Sequence, residues 1–85
     1  MTKKDITVQI KGGLDARPGA MLVQIASQFE SSVYIETENK RINAKSIMGM
    51  MSLGIAKDAQ LTVITEGADE EQALEAIDKY LSVAE

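Results

Sequence analysis

Residues 6–29 read ITVQIKGGLDARPGAMLVQIASQF and contain both hydrophobic periodicities from which secondary structure is predicted. Apolar and polar side chains first alternate with period 2, which predicts a half-buried strand containing Ile6, Val8 and Ile10. Gly12-Gly13 ends this strand, and apolar residues then recur at helical spacing over about 16–29. The predicted apolar side of that helix consists of Leu22, Ile25, Ala26 and Phe29, with Met21 beside them. The segment therefore predicts strand, turn and helix.

The rest of the chain continues this alternation of elements. The further predicted elements are strands at 33–35, 41–44 and 60–66, a short helix at 47–53 closed by Gly54, and a last helix beginning with Asp69, Glu70 and Glu71, whose apolar stripe is Leu74, Ile77, Leu81 and Ala84. The predicted order is βαββαβα. Elements in this order bury helices on one face of a four-stranded sheet, so the chain is predicted to be α+β.

Length and composition limit the classes of protein to which this chain can belong. Its 85 residues predict a single domain over 1–85, and 45% hydrophobic with 26% charged residues is ordinary for a globular protein. We expect a cytoplasmic protein, because the sequence contains no cysteine and no apolar run of signal or membrane-spanning length. The net charge of −4 argues against a broad nucleic-acid-binding surface and favours partners with basic patches.

The residue types also restrict the chemistry. The chain contains no histidine and no cysteine, so it has no imidazole base and no metal site of the usual kind. Its serines have no base to activate them, and Gly12-Gly13 forms neither a dinucleotide-binding nor a P-loop fingerprint. We therefore expect no catalytic activity, no metal and no cofactor.

Two candidate sites remain. Asp15 stands at the start of the first helix, where a carboxylate caps the helix or where a phosphate is readily accommodated. Ser46 stands at the start of the short helix, where its hydroxyl is either an N-cap alone or a modification site. The neighbouring Met48, Met50 and Met51 are either core residues or part of a binding surface.

Three segments resemble the HPr family, the small phosphocarriers of the bacterial sugar phosphotransferase system. Residues 13–18 (GLDARP) resemble its phosphoryl-acceptor motif, 43–54 (NAKSIMGMMSLG) resemble its regulatory-serine segment, and 67–70 (GADE) resemble the turn into its last helix. The resemblance covers nearly the whole chain. It implies an open-faced sandwich in which three helices cover one face of a four-stranded antiparallel sheet.

The resemblance also implies roles for individual residues. Asp15 occupies the position of the histidine that accepts phosphate from phosphoenolpyruvate through enzyme I, and a carboxylate is a poorer nucleophile than imidazole. Loss of this histidine with retention of the serine resembles the catabolite-repression, Crh-type branch of the family. The resemblance then implies phosphorylation of Ser46 by HPr kinase/phosphorylase with ATP. It also implies corepression with catabolite control protein A, a LacI-type repressor, through the partner-binding residues Asp15, Arg17, Ile47, Met48 and Met51.

Two other hypotheses remain open. The chain could be an HPr phosphocarrier, variant or engineered at Asp15, in which the carboxylate accepts phosphate. It could also be an HPr-fold domain that binds an unrelated protein and is never phosphorylated. A homodimer formed by strand exchange is a further hypothesis, because the first strand precedes the flexible Gly12-Gly13 turn.

Overall fold

The computed structural model describes residues 1–10, 16–38, 40–51 and 58–82, with the backbone alone described for 16–18 and 51. Its elements are β1 (Thr2–Thr7), α1 (Ala16–Ser27), β2 (Ser32–Glu36), β3 (Arg41–Asn43), α2 (Ile47–Met51), β4 (Gln60–Glu66) and α3 (Glu70–Leu81). The predicted βαββαβα order is confirmed. None of the described helices is long and apolar enough to cross a membrane.

The four strands form one antiparallel sheet in the order β1-β4-β2-β3. The central strand β4 pairs with β1 on one side and with β2 on the other. Its buried residues Leu61 and Val63 face the helices together with Val33 and Ile35 of β2. The three helices cover this face, and the predicted open-faced sandwich is confirmed.

The core lies between the sheet and the helices. Its buried apolar members are Ile6, Val8, Ile10, Leu22, Ala26, Val33, Ile35, Ala44, Met50, Leu61, Val63, Ala73, Leu74, Ile77 and Leu81. On the opposite face of the sheet, Ile64 is also buried, with Tyr34 as its neighbour on β2. The guanidinium of Arg41 lies 4.5 Å from the centroid of the Tyr34 ring, a cation–π distance.

The first strand lies earlier in the chain than predicted, because alternation of apolar residues is not required of an edge strand. β1 covers Thr2–Thr7 and pairs with β4 along its whole length. Lys4 occupies a position on the helical side and pairs with Asp78 of α3 at 2.5 Å. Val8 lies beyond β1 but is still buried in the core, and its N–H donates to the carbonyl of Ala59 at 3.0 Å.

The first helix ends earlier than predicted, and one side chain faces the other way. α1 ends at Ser27, and turn hydrogen bonds such as Phe29 N–H to the Ala26 carbonyl follow it. Leu22 and Ala26 are buried as predicted. Met21, which was predicted to lie on the buried side, is 46% exposed, because adjacent helical residues point about 100° apart.

The later elements differ from the predictions at their ends. β3 stops at Asn43, since Ala44 turns inward and donates its N–H to the carbonyl of Val33. Within the described residues, α2 covers Ile47–Met51, while 52–54 with the predicted Gly54 cap lie outside them. α3 begins at Glu70, with Asp69 at the N-cap position, and Ala84 of the predicted stripe is also outside the described residues.

Candidate functional site

The chain between β3 and α2, residues 43–46, is here called the Ser46 turn. The Asn43 side-chain oxygen accepts a hydrogen bond from the Lys45 N–H at 2.8 Å, and the Asn43 carbonyl accepts one from the Ser46 N–H at 3.0 Å. The Lys45 ammonium donates to the carbonyl of Phe29, just beyond α1, at 2.7 Å. The turn is thereby tied to the end of α1, and the position of Ser46 is set before any partner binds.

Ser46 itself is the N-cap of α2. Its hydroxyl oxygen accepts a hydrogen bond from the Gly49 N–H at 3.3 Å, and its carbonyl accepts one from the Met50 N–H at 3.0 Å. The residue is exposed to solvent. An N-cap hydroxyl at the surface is sterically open to a modifying enzyme, so the cap role and the modification role are compatible.

Two large apolar side chains beside Ser46 face solvent. Ile47 is 51% exposed and Met48 is 81% exposed, and we call this pair the α2 surface. Met50, two residues further on, is fully buried and belongs to the core. The alternative roles of the methionines are therefore divided between residues: Met50 packs in the core, whereas Met48 lies on the surface.

Two glycines allow α2 to sit close to its neighbours. A Cβ on Gly19 of α1 would lie 3.2 Å from the Met50 carbonyl oxygen, and a Cβ on Gly49 would lie 2.9 Å from Cγ2 of Ile42. The first contact packs α2 against α1 and the second packs it against β3. This seating presents the α2 surface outward and keeps Met50 inside.

Of the six predicted site residues, Ser46, Ile47 and Met48 are brought together at the start of α2. Arg17 lies in the first turn of α1, but its side chain is outside the described part, as is that of Met51. Asp15 and its predicted helix cap fall entirely outside the described residues. The anchoring role of Lys45 was missed, because its partner Phe29 is 16 residues away and no local pattern indicates such a contact.

A second set of polar contacts lies at the turn between β4 and α3, and we call its residues Glu30, Ser31, Gly67 and Asp69 the Asp69 junction. The Asp69 carboxylate was predicted to serve the start of α3, but it makes no cap hydrogen bond there. It instead accepts hydrogen bonds from the Ser31 hydroxyl, from the Ser31 N–H at 2.9 Å and from the Glu30 N–H at 3.0 Å. These donors, the Ser31 hydroxyl foremost, lower the pKa of Asp69.

Two other carboxylates link β1 to α3 through hydrogen bonds and ion pairs. Glu70 accepts from the Thr2 hydroxyl at 2.5 Å and from the Gly67 N–H at 3.2 Å, and it lies 3.0 Å from the Met1 amine. These contacts, led by the Thr2 hydroxyl, lower the pKa of Glu70 to about 2. The hydrogen bond from Lys4 likewise lowers the pKa of Asp78. Within the described ranges, no three His, Cys, Asp or Glu side chains converge as a metal site would require.

The family model for the HPr component of the phosphotransferase system, described as its phosphorylation site, matches residues 2–82. The chain belongs to the HPr family. The HPr-like protein Crh of Halalkalibacterium halodurans is 48% identical over 81 residues, which cover 95% of this chain and 96% of that protein. Crh of Bacillus subtilis is 44% identical over 81 residues, 95% of each chain.

Solved structures of the family agree with the fold. The phosphocarrier HPr from Bacillus anthracis gives a TM-score of 0.91 at 47% identity and covers 95% of this chain and 96% of that one. A crystal structure of Bacillus subtilis Crh, described as a swapped dimer, gives a TM-score of 0.75 at 44% identity and covers 95% of this chain and 93% of that one. The similarity to Crh supports a catabolite-repression, HPr-like regulator.

Percentage identity does not separate the two branches of the family, because an HPr and the Crh proteins are equally similar to this chain. The distinction has to come from residues with a chemical role. The whole sequence contains no histidine, so the chain has no imidazole with which to carry a phosphoryl group.

Proposed function

We propose that this protein is a regulatory phosphoprotein of carbon catabolite repression. HPr kinase/phosphorylase phosphorylates Ser46 with ATP in the cytoplasm, and the phosphorylated protein acts as corepressor for catabolite control protein A. It has no catalytic activity of its own and binds no nucleic acid directly. The observation that carries the proposal is the exposed Ser46 hydroxyl next to the exposed Ile47 and Met48, in a family member that contains no histidine.

The geometry of the Ser46 turn suits a switch that changes the surface and not the fold. A phosphoryl group adds about −1.5 to −2 charges and three strong acceptor oxygens. The Gly49 N–H already donates to the Ser46 oxygen, so it can serve the phosphorylated side chain without rearrangement of α2. No core residue has to move, because Ser46 is exposed in the unmodified protein.

The same geometry indicates how a partner recognises the phosphorylated form. The Lys45 ammonium donates to the Phe29 carbonyl, and we propose that the basic group that pairs with the phosphate comes from the partner protein. Ile47 and Met48 add apolar contact area beside that charged pair. Charge and apolar contact together make the interface depend on phosphorylation. Asp15, Arg17 and Met51 are proposed as further partner-binding residues.

A second candidate function is phosphate transfer through Asp15, as in an HPr phosphocarrier. The match to the family's phosphorylation-site model and the 47% identity to the HPr of Bacillus anthracis favour it. The carboxylate would form an acyl phosphate in place of a phosphoramidate. Since enzyme I acts on imidazole in the family, we propose this function only as the alternative.

Phosphosite mapping by mass spectrometry after two parallel incubations separates the candidates. One tube contains HPr kinase/phosphorylase with ATP, and the other contains enzyme I with phosphoenolpyruvate. We expect phosphate on Ser46 in the first tube, lost in Ser46→Ala, and no phosphate in the second. Phosphate on Asp15 in the second tube, lost in Asp15→Asn, would establish the carrier. Absence of phosphate from both tubes would favour an HPr-fold domain that binds an unrelated partner.

Binding measurements test the proposed docking surface. The Ser46-phosphorylated protein should bind catabolite control protein A, and Ile47→Ala should weaken that binding about 10-fold. Gln72→Ala, on the exposed side of α3, is the matched control and should leave the affinity unchanged. Equal effects of the two variants would exclude the α2 surface as the interface.

We also propose a homodimer formed by exchange of β1. A Bacillus subtilis Crh structure described as a swapped dimer and a Crh structure described as a dimer support it, at 44% and 45% identity. In this chain β1 is an edge strand that pairs with β4 and contacts α3 through polar groups. Size-exclusion chromatography at two protein concentrations tests the proposal. A monomer at both concentrations would contradict it.

A further inference from the structure

The methionine side chains that the structure describes differ widely in exposure. Met48 is 81% exposed, Met1 68% and Met21 46%, whereas Met50 is fully buried in the same helix as Met48. Peroxides oxidise methionine thioethers to sulfoxides, and susceptibility follows exposure. Met48 is thus the most exposed of the described large apolar side chains, and it lies two residues after Ser46.

We propose that Met48 is a reversible oxidation site whose sulfoxide prevents the phosphorylated protein from docking. The proposal rests on the docking role given to the α2 surface above. It adds a second, opposing modification to the same surface: phosphorylation of Ser46 creates the interface, and oxidation of Met48 removes its apolar part.

Hydrogen peroxide is the oxidant that converts the Met48 thioether to its sulfoxide. The sulfur lone pair forms a bond to one peroxide oxygen while the O–O bond breaks, and the other oxygen leaves with a proton as water. Reversal needs a methionine sulfoxide reductase and a dithiol reductant. The dithiol supplies two electrons and two protons, the sulfoxide oxygen leaves as water, and the dithiol becomes a disulfide.

The structure explains why this oxidation would act on binding and leave folding intact. The Met48 side chain is outside the core, so a sulfoxide oxygen on it stays hydrated in the free protein. In a docked complex the same oxygen would have to leave water for an apolar surface without a hydrogen-bond donor, which is unfavourable. We expect oxidation to weaken binding about 10-fold or more.

The test begins with Ser46-phosphorylated protein treated briefly with hydrogen peroxide. Peptide mapping should show Met48 oxidised at least about 10-fold faster than Met50. Chromatography then separates the singly oxidised species for binding to catabolite control protein A. The Met48 sulfoxide species should bind about 10-fold more weakly, whereas the Met1 sulfoxide species should bind like untreated protein. Reductase with dithiothreitol should restore the affinity.

Two variants confirm the assignment to one residue. For Met48→Leu, peroxide treatment stopped before Met51 is oxidised, as followed by peptide mapping, should change the affinity by less than about 2-fold, whatever the affinity of the variant itself. Met21→Leu removes another exposed thioether and should remain as sensitive as the wild type.

Three results would overturn the inference: equal oxidation rates at Met48 and Met50, unchanged binding by the Met48 sulfoxide species, or undiminished peroxide sensitivity in Met48→Leu. Failure of the untreated phosphorylated protein to bind would be a different result. It would reject the proposed function together with the regulatory consequence of oxidation.

Discussion

The Asp69 junction and the Ser46 turn both place a side-chain oxygen at the start of a helix, but the oxygens serve different partners. The Asp69 carboxylate binds Ser31 and Glu30, which are 38 and 39 residues away in the chain. The Ser46 hydroxyl accepts from Gly49 of its own helix and remains exposed. An oxygen that accepts hydrogen bonds from distant residues stabilises the tertiary structure. An oxygen that caps its own helix can be modified without loss of contacts elsewhere in the molecule.

The glycines of the two regions differ in the same way. A Cβ on Gly67 at the Asp69 junction would lie 2.7 Å from the Ser31 Cα, and the Gly67 φ is +150°, where other residues are strained. A Cβ on Gly49 would meet the side chain of Ile42 in ordinary helical backbone. The comparison therefore predicts a large effect of substitution at the junction and smaller effects near Ser46.

Gly67→Ala should give the largest loss of stability, about 3 kcal/mol in the free energy of unfolding measured by urea denaturation. The added methyl group meets backbone, which cannot rotate away, and the positive φ adds strain. At a temperature where the variant is folded, Ser46 should still be phosphorylated. A loss below about 1 kcal/mol would mean that the close packing at the Asp69 junction contributes little to stability.

Gly49→Ala should destabilise the protein by about 1 kcal/mol, because a clash with Ile42 is partly offset by the better helix propensity of alanine. The expected displacement of α2 from β3 should also weaken docking of the phosphorylated protein. Pairing the variant with Ile42→Ala, which removes Cγ2, tests the cause in a double-mutant cycle. If Gly49→Ala costs as much stability with alanine at position 42 as with isoleucine, steric contact is not the reason.

Ser46→Ala should cost less than about 1 kcal/mol, since a single N-cap hydrogen bond at an exposed site is lost. Phosphorylation by HPr kinase/phosphorylase should nevertheless disappear completely. Ser46→Thr keeps a capping hydroxyl and is the control for stability. Phosphate found elsewhere in Ser46→Ala, or a stability loss as large as that of Gly67→Ala, would contradict the contrast between the two regions.

The parts of this structure that were predictable from sequence are those encoded by local patterns of residues. β4 was predicted with its observed ends because the run Leu61, Thr62, Val63, Ile64 and Thr65 is rich in residues that favour strands. The short helix and its Ser46 cap were predicted from a local pattern of the same kind. The antiparallel sheet was implied by family resemblance, and its strand order was not predicted, because periodicity contains no information on which strands pair.

The errors arose where contacts between distant residues decide the structure. β1 begins at Thr2, although Lys3, Lys4 and Asp5 interrupt the apolar alternation, because hydrogen bonds to β4 and an ion pair to Asp78 hold it. Asp69 has the sequence of a helix cap, yet its carboxylate binds the α1–β2 loop.

At the candidate site, the serine and the apolar residues beside it could be identified from sequence, but their exposure could not. Met48 and Met50 are alike in sequence, and only the packing of α2 on α1 and β3 places one outside and the other in the core. The Lys45 bond to Phe29 likewise depends on two segments meeting in space.

The smallest expected effect concerns acid and Glu70, the neighbour of Asp69 that links α3 to β1. The pKa of Glu70 is lowered from 4.5 to about 2 by Thr2, Gly67 and the Met1 amine, so its ionised form is favoured in the folded state. Its contribution to stability is therefore present above about pH 4.5 and is lost as the pH falls toward about 2. Glu70→Gln should lower Tm modestly at pH 7, with the difference from wild type shrinking below pH 4.5. Glu71→Gln removes a charge from the same helical turn and is the matched control. If both variants give the same pH profile, the helix dipole and not the hydrogen bond from Thr2 to Glu70 accounts for the effect.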